Sequence, residues 1–285
     1  LKIAKNATLQ DAGRIGFRHF GVPDAGPFDW FSAEASNIAV GNESGTAVLE
    51  LHAPGAEFET TESCRIALYG ALTDIRINED LVLGFHRHFQ LKMGCRVEIS
   101  RFRKGARLYL ALEGGFEAQK TLGSVCGTVV EPGDVFQSAS RAPFSEPRFP
   151  FLNWDFDTPI QLPIIPSGVT AFDFGAIDNL VVSHLSDRSG IRLEGNIPRH
   201  SLRPISQPIC AGAVQWTPSG ELIVIGPDGP TIGGYPWIGT IPKFALFRLA
   251  QATMKDPVVL RSTSWEEAYS DHLKIKPGWT FRYAP

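Results

Sequence analysis

Three short segments concentrate the side chains that do chemistry. The first, residues 8–29, reads TLQDAGRIGFRHFGVPDAGPFD and carries Asp11, Arg14, Arg18, His19, Asp24 and Asp29 among glycines and prolines. Fixed charges beside backbone amides in an irregular loop are a common way to hold small anionic or amide substrates. The same residues admit a second reading, in which Asp11 and Arg14 form an ion pair that stabilises a turn. The second segment, residues 183–194 (SHLSDRSGIRLE), sets Asp187 and Arg188 before a glycine turn and Arg192 after it. A guanidinium is a planar fork of donors matched to carboxylate or phosphate, and a solvated hairpin tip would have the same composition. The third, residues 226–236 (GPDGPTIGGYP), offers Asp228, Thr231 and Tyr235 beside backbone N–H groups that could point into one concavity. It lacks the Gly-Lys-Ser/Thr of a P-loop and the βαβ frame of a dinucleotide fingerprint.

Other chemistries find less support. His86 and His88 would share a strand face, but no third ligand stands near them in the sequence, so no metal site is expected. There is no GxSxG elbow. Cys64, Cys95, Cys126 and Cys210 form no CxxC pair and are expected to be reduced and scattered. Gly114 and Gly115 follow a strand and read as a tight turn.

The elements that must position these segments are mostly strands. The chain of 285 residues holds 28 Gly and 21 Pro, with 43% apolar and 20% charged residues. That much punctuation without a period argues for many short strands and tight turns. The runs 64–70 (CRIALYG), 107–112 (RLYLAL) and 222–225 (LIVI) read as buried strands, and 89–99 alternates imperfectly around Gly94. Helices are few. Asp29 caps one over about 30–40, with Phe31, Ala35, Ile38 and Ala39 on one face and Gly41 as its stop. A second is expected over 244–252, after Pro242. A third begins at Ser264, where Glu267 completes a capping box, and its stripe of Trp265, Ala268, Tyr269 and His272 is expected to pack onto the fold.

Between Ser138 and Pro166 the prolines 143, 147, 150, 159, 163 and 166 exclude a helix and argue against a central strand. The reading is an N-terminal β lobe over 1–145, a Pro-rich linker over 146–165 and a C-terminal β lobe over 166–285. Phe149, Phe151, Trp154 and Phe156 would pin the linker to a lobe. With 27 Lys and Arg against 30 Asp and Glu, the chain has no broad basic surface for nucleic acid. No apolar run reaches the length of a membrane-spanning helix, and residues 1–4 show no hydrophobic signal core, so a cytoplasmic location is expected.

Together the segments resemble the allophanate hydrolase subunit two family, also called the KipA or biotin-dependent carboxyltransferase-like family. It includes the C component of bacterial ATP-dependent 5-oxoprolinase. The matching stretches are 9–29, SNIAVGNESGTAVLEL at 36–51, IALYGA at 66–71, LYLALEGGF at 108–116, LGS at 122–124 and PGD at 132–134. In the second lobe they are SDRSGIRLEG at 186–195, GAVQWTPSGELIVI at 212–225 and TIGGYPWIGTI at 231–241. The resemblance implies all-β, cyclophilin-like barrel lobes and a KipI-like partner, with the large 5-oxoprolinase subunit as a possible third chain. It implies ATP-linked opening of a small cyclic amide, with ATP mainly on a partner. The alternatives are carboxyl transfer to a urea-like acceptor, which requires biotin, and non-catalytic regulation of a KipI-like inhibitor. It also implies site residues: Asp11, Arg14, Asp228 and Tyr235 as catalytic, and Asp187, Arg188, Arg192, Gln215, Thr231, Gly233 and Gly234 as substrate-binding.

The sequence departs from the family pattern in four places. Only 125–131 separates LGS from PGD, where relatives carry a longer glycine- and arginine-rich segment. Pro230 stands where a glutamine is usual, Ala245 where an acid is usual, and SDRSGIRL has lost an aromatic.

Overall fold

The structure is a computed structural model that describes residues 2–3, 7–52, 55–82, 87–139, 156, 158–168 and 172–275. Contacts divide the chain into one compact unit of Leu1–Gly16 with Asp24–Pro147, and a second of Phe17–Pro23 with Arg148–Pro285. The expected all-β class, with a few short helices, is what the chain adopts.

The strands of the first unit are β1 (Lys2–Ile3), β2 (Ala7–Gln10), β3 (Val48–His52), β4 (Ala56–Glu59), β5 (Cys64–Leu72) and β6 (Ile75–Ile77). They continue with β7 (Asp80–Val82), β8 (Arg87–Leu91), β9 (Arg96–Ile99), β10 (Lys104–Leu112) and β11 (Thr128–Val129). They form two antiparallel sheets, ordered β1-β4-β9-β6-β7 and β11-β2-β3-β10-β5-β8. Period-two alternation drives one face of each sheet inward, so Leu9, Leu49, Leu51, Leu68, Val97, Ile99 and Leu108 share one core. The other face of the larger sheet carries α1 (Trp30–Ala39), whose predicted apolar face is buried. Its N-cap is Asp29, as the sequence indicates, with the carboxylate accepting from the Ser32 N–H at 2.9 Å.

In the second unit β12 (Ile160–Pro166), β13 (Asp178–Val182), β14 (Gly190–Asn196), β16 (Ala213–Trp216), β17 (Leu222–Ile225), β19 (Trp237–Thr240) and β20 (Pro257–Ser262) close a barrel. Its order is β12-β19-β16-β17-β14-β13-β20, with β12 and β20 the parallel pair. Leu162, Ile164, Leu193, Val214, Leu222 and Val224 are fully buried by it. A small ribbon of β15 (Gln207–Pro208) and β18 (Ile232–Gly233) lies apart from the barrel. Helix α2 (Lys243–Ala250) follows Pro242, and α3 (Trp265–Ile275) starts from the expected capping box. There the Glu267 N–H donates to Ser264 Oγ, and the Ser264 N–H donates to Glu267 Oε2, both at 3.1 Å.

Two expectations change. The Pro-rich stretch argues against a central strand, yet Ile160–Pro166 is a barrel strand. The geometry shows why its proline is tolerated. The Ile164 carbonyl accepts from the Thr263 N–H, so Ile164 faces β20 and the nitrogen of Pro163 faces the other way. On that side β19 pairs only with Ile165 and Pro166, so no ladder bond is lost at Pro163. Phe149, Phe151 and Trp154, expected to pin the linker, lie outside the described residues. The α3 stripe also splits. Ala268 is buried and His272 sits 5.9 Å from the Phe244 ring, but Trp265 and Tyr269 are exposed.

Candidate functional site

In the first unit, Asp11 stands just after β2, and its carboxylate is the centre of a dense hydrogen-bond set. Oδ1 accepts from Ser124 Oγ at 2.5 Å, the Gly13 N–H at 3.0 Å and the Cys126 thiol at 3.1 Å; Oδ2 accepts from the Val125 N–H at 2.9 Å. Burial alone would raise its pKa. The donations from Ser124, Val125, Cys126 and Gly13 outweigh burial and hold the carboxyl below the usual aspartate value. Asp11 is therefore a fixed anion and a poor general base near neutral pH. Burial pushes the neighbouring Cys126 thiol up, so it stays protonated.

Arg14 does not pair with Asp11. Its guanidinium donates to the Cys126 carbonyl, while its backbone N–H donates to the Asp24 carbonyl at 2.7 Å. The turn-stabilising ion pair considered for these two residues is thus replaced by convergence of both side chains on 124–126. Gly13 is required here, because its φ is +92° and a Cβ would stand 2.4 Å from the Asp24 carbonyl oxygen. Hence the 11–16 loop is clamped between 24 and 124–126.

The exit of the same segment rests on a second buried network. Glu50 and Tyr109 are fully buried on the adjacent strands β3 and β10. The Tyr109 hydroxyl donates to Glu50 Oε2 at 2.7 Å and accepts from the Asp29 N–H at 2.8 Å. The Phe28 N–H donates to Glu50 Oε2 at 3.2 Å, and Arg107 lies over the Phe28 ring with its Nε 3.6 Å from Glu50 Oε1. Burial, followed by the Glu50 charge, drives the Tyr109 hydroxyl well above the ordinary phenol range, so it remains a donor.

In the second unit, Arg188 and Asp228 form a bidentate pair, Nε to Oδ2 at 2.6 Å and Nη2 to Oδ1 at 3.0 Å. Asp187 closes its own turn, accepting from the Ser189 and Gly190 N–H groups at 2.7 and 3.1 Å. Arg192 is more open, with Nη1 3.5 Å from Glu221 Oε2. The concavity of amides expected over 226–236 is partly absent. The N–H groups of Gly226, Asp228 and Gly229 donate to the carbonyls of Ser189, Arg188 and Gly226. Residues 226–229 thus turn three of their N–H groups onto the protein's own carbonyls.

The 231–235 loop lies over Gln215, which is buried on β16. Gln215 Nε2 donates to the Tyr235 carbonyl at 3.4 Å, and a Cβ on Gly233 would stand 2.2 Å from that nitrogen. Thr231 is buried, while Gly234 and Tyr235 are exposed. Gln215, Thr231, Gly233, Gly234 and Tyr235 are thus brought together, with Arg188 and Asp228 as a second group. Among the described residues no three or more ligand-type side chains cluster as a metal site would need, and His86 lies outside them. All four cysteines are free thiols. Residue types and spacing alone did not single out Ser124, Cys126, Glu50 or Tyr109. Ser124 is 113 positions from Asp11, and Tyr109 is 59 from Glu50, so no local spacing signals either pair.

The first unit is built of open sheets and the second of a closed barrel, and each carries clamped charged loops. The family profile described as carboxyltransferase domain, subdomain A and B, matches residues 20–143 and 174–262, and the chain belongs to that family. It is 28% identical to the C component of 5-oxoprolinase from Escherichia coli (strain K12), across 92% of this chain and 89% of that one. It is 26% identical to the urea amidolyase of Lachancea kluyveri, across 92% of this chain but 16% of that protein. A crystal structure of TTHA0988 superposes with a TM-score of 0.79 at 26% identity, covering 92% of this chain and 54% of that one, so this chain spans about half its length. No helix among the described residues is long and apolar enough to cross a membrane.

Proposed function

We propose that the chain is one component of an ATP-dependent amidohydrolase that opens a small cyclic amide of the 5-oxoproline type. In this reading it works with a KipI-like chain and the large 5-oxoprolinase subunit, and ATP is bound mainly by a partner. The observation that carries the reading is the match to the 5-oxoprolinase C component along nearly the full length of both chains. Opening the lactam adds one water across its C–N bond and leaves a carboxylate and an amine, while a second water is consumed as ATP becomes ADP and phosphate.

The reading divides the roles among the candidate residues. A substrate carboxylate is best met by Arg192, since Arg188 is already held on both forks by Asp228. In this reading the exposed Tyr235 hydroxyl is assigned to donate a proton to the departing nitrogen, and the loop around Gly233 and Gly234 to meet the carbonyl. Asp11 and Arg14 are assigned to positioning, because both are engaged by 124–126. The chain alone is expected to show no turnover. Adding the KipI-like chain and the large subunit is expected to give ADP formation that depends on 5-oxoproline. No turnover with any cognate partner overturns the proposal.

A second reading is a regulatory protein that binds a KipI-like chain without catalysis. The engagement of the Asp11, Asp187 and Asp228 carboxylates by protein donors favours it. Tight partner binding, with Asp228→Ala leaving every measured behaviour intact, would select it.

A further inference from the structure

The second unit carries an apolar surface, built from stretches without Asp or Glu, that none of the roles above uses. Residues 198–209 form a strap pinned near its two ends, at Pro198 and His200 and at 207–209. Trp216 Nε1 donates to the Pro198 carbonyl at 2.8 Å. The Leu202 N–H donates to His200 Nδ1 at 3.1 Å, which leaves the ring proton on Nε2 to meet the Trp216 carbonyl at 3.0 Å. Gln207 and Pro208 pair with Gly233 and Ile232, and the Ile209 N–H donates to the Thr231 carbonyl at 3.0 Å. The Arg18 guanidinium reaches the Ile209 carbonyl, which sets the short helical turn Arg18–Phe20 beside the strap.

Between and beside these anchor points large apolar side chains stand in solvent. Ile205 is 91% exposed, Phe20 72%, Ile232 61% and Leu202 51%. A tethered segment would be expected to fold such residues inward, and apolar groups held outward on a fixed frame mark an interaction surface. The charge is one-sided. The overall net charge is -3, yet 195–220, 229–247 and 17–23 contain no Asp or Glu, and Arg199 and Arg203 stand exposed on the strap.

We propose that the strap, with Phe20 and Ile232, docks a partner protein whose contact surface is apolar at its centre and acidic at its rim. The absence of acids argues against a second copy, because a two-fold contact would set Arg199 and Arg203 against themselves. The inference rests on the partner-dependent reading above, so the KipI-like chain is the probe. Because the ribbon joins the strap to 231–235, docking there also bears directly on the loop that holds Tyr235.

The test is titration calorimetry of the KipI-like chain into wild type, Ile205→Asp, Leu202→Asp, Arg203→Glu and the α3 control Tyr269→Asp. Thermal midpoints establish that each variant is folded. Ile205→Asp and Leu202→Asp are expected to weaken binding by about 30-fold or more, the scale of an interface hot spot. Arg203→Glu is expected to weaken it and flatten its salt dependence, and Tyr269→Asp to leave it unchanged. Wild-type binding that survives both Asp substitutions overturns the surface and leaves the functional reading standing. No binding by wild type overturns both. Self-association that Ile205→Asp abolishes makes the occupant a second copy, which also overturns the proposal.

Discussion

Asp11 shows how a residue chosen for its chemistry turns out to be defined by its partners. Its ionised form is favoured by Ser124, Val125, Cys126 and Gly13 against the cost of burial. A carboxyl with a folded pKa below its unfolded one contributes stability that is present above the unfolded value and lost as pH falls through the folded value. The stability difference between wild type and Asp11→Asn is therefore expected to be constant from about pH 5 to 7 and to narrow below about pH 4. Urea midpoints across that range check it, and a difference that grows with acid contradicts it. At Gly233 the constraint is steric. Ala would bring its Cβ against Gln215 Nε2 and within 2.8 Å of Ile209 Cδ1, so Gly233→Ala is expected to cost about 1–3 kcal/mol by overpacking, read from denaturant unfolding. Arg192→Ala is expected to raise KM for 5-oxoproline more than it lowers kcat. A fall in kcat with KM unchanged would remove Arg192 from carboxylate binding.

At the scale of elements, the exit of the 8–29 segment depends on strands β3 and β10. Tyr109→Phe removes the donor to a fully buried Glu50 and the acceptor for the Asp29 N–H, with little change of shape. It is expected to cost about 1–3 kcal/mol and to speed amide exchange at 28–32 ahead of the sheet. Unchanged exchange there would show that α1 is anchored by its apolar face alone. The helices were legible because their signals are local: Asp29 and Ser32, and Ser264 and Glu267, lie three positions apart. The strand at Ile160–Pro166 was not legible, because tolerance of Pro163 depends on which neighbour faces its nitrogen, and that is set by barrel closure. The Asp11 clamp was hidden for a related reason. LGS at 122–124 is one of the stretches that resemble the family, but only the folded sheet brings Ser124 to Asp11. Of the candidate residues, the 231–235 loop was the most readable, since its glycines mark a backbone closely approached by Gln215.

At the scale of the whole molecule, each unit carries clamped polar loops. In the first, carboxylates serve as hydrogen-bond hubs for chain segments distant in sequence. In the second, the barrel supports a loop with an exposed tyrosine and, on β14, an arginine whose Nη1 lies 3.5 Å from its carboxylate partner Glu221. In the proposed reading this chain contributes binding and positioning groups to a shared reaction, and another chain supplies the nucleotide chemistry. The most direct measurement is an omission experiment. Glutamate release from 5-oxoproline and ATP is followed by NMR in a mixture of this chain, a KipI-like chain and a large 5-oxoprolinase subunit, and in the same mixture lacking only this chain. The account predicts steady release in the complete mixture and a background rate without this chain. Equal rates in the two mixtures would contradict it.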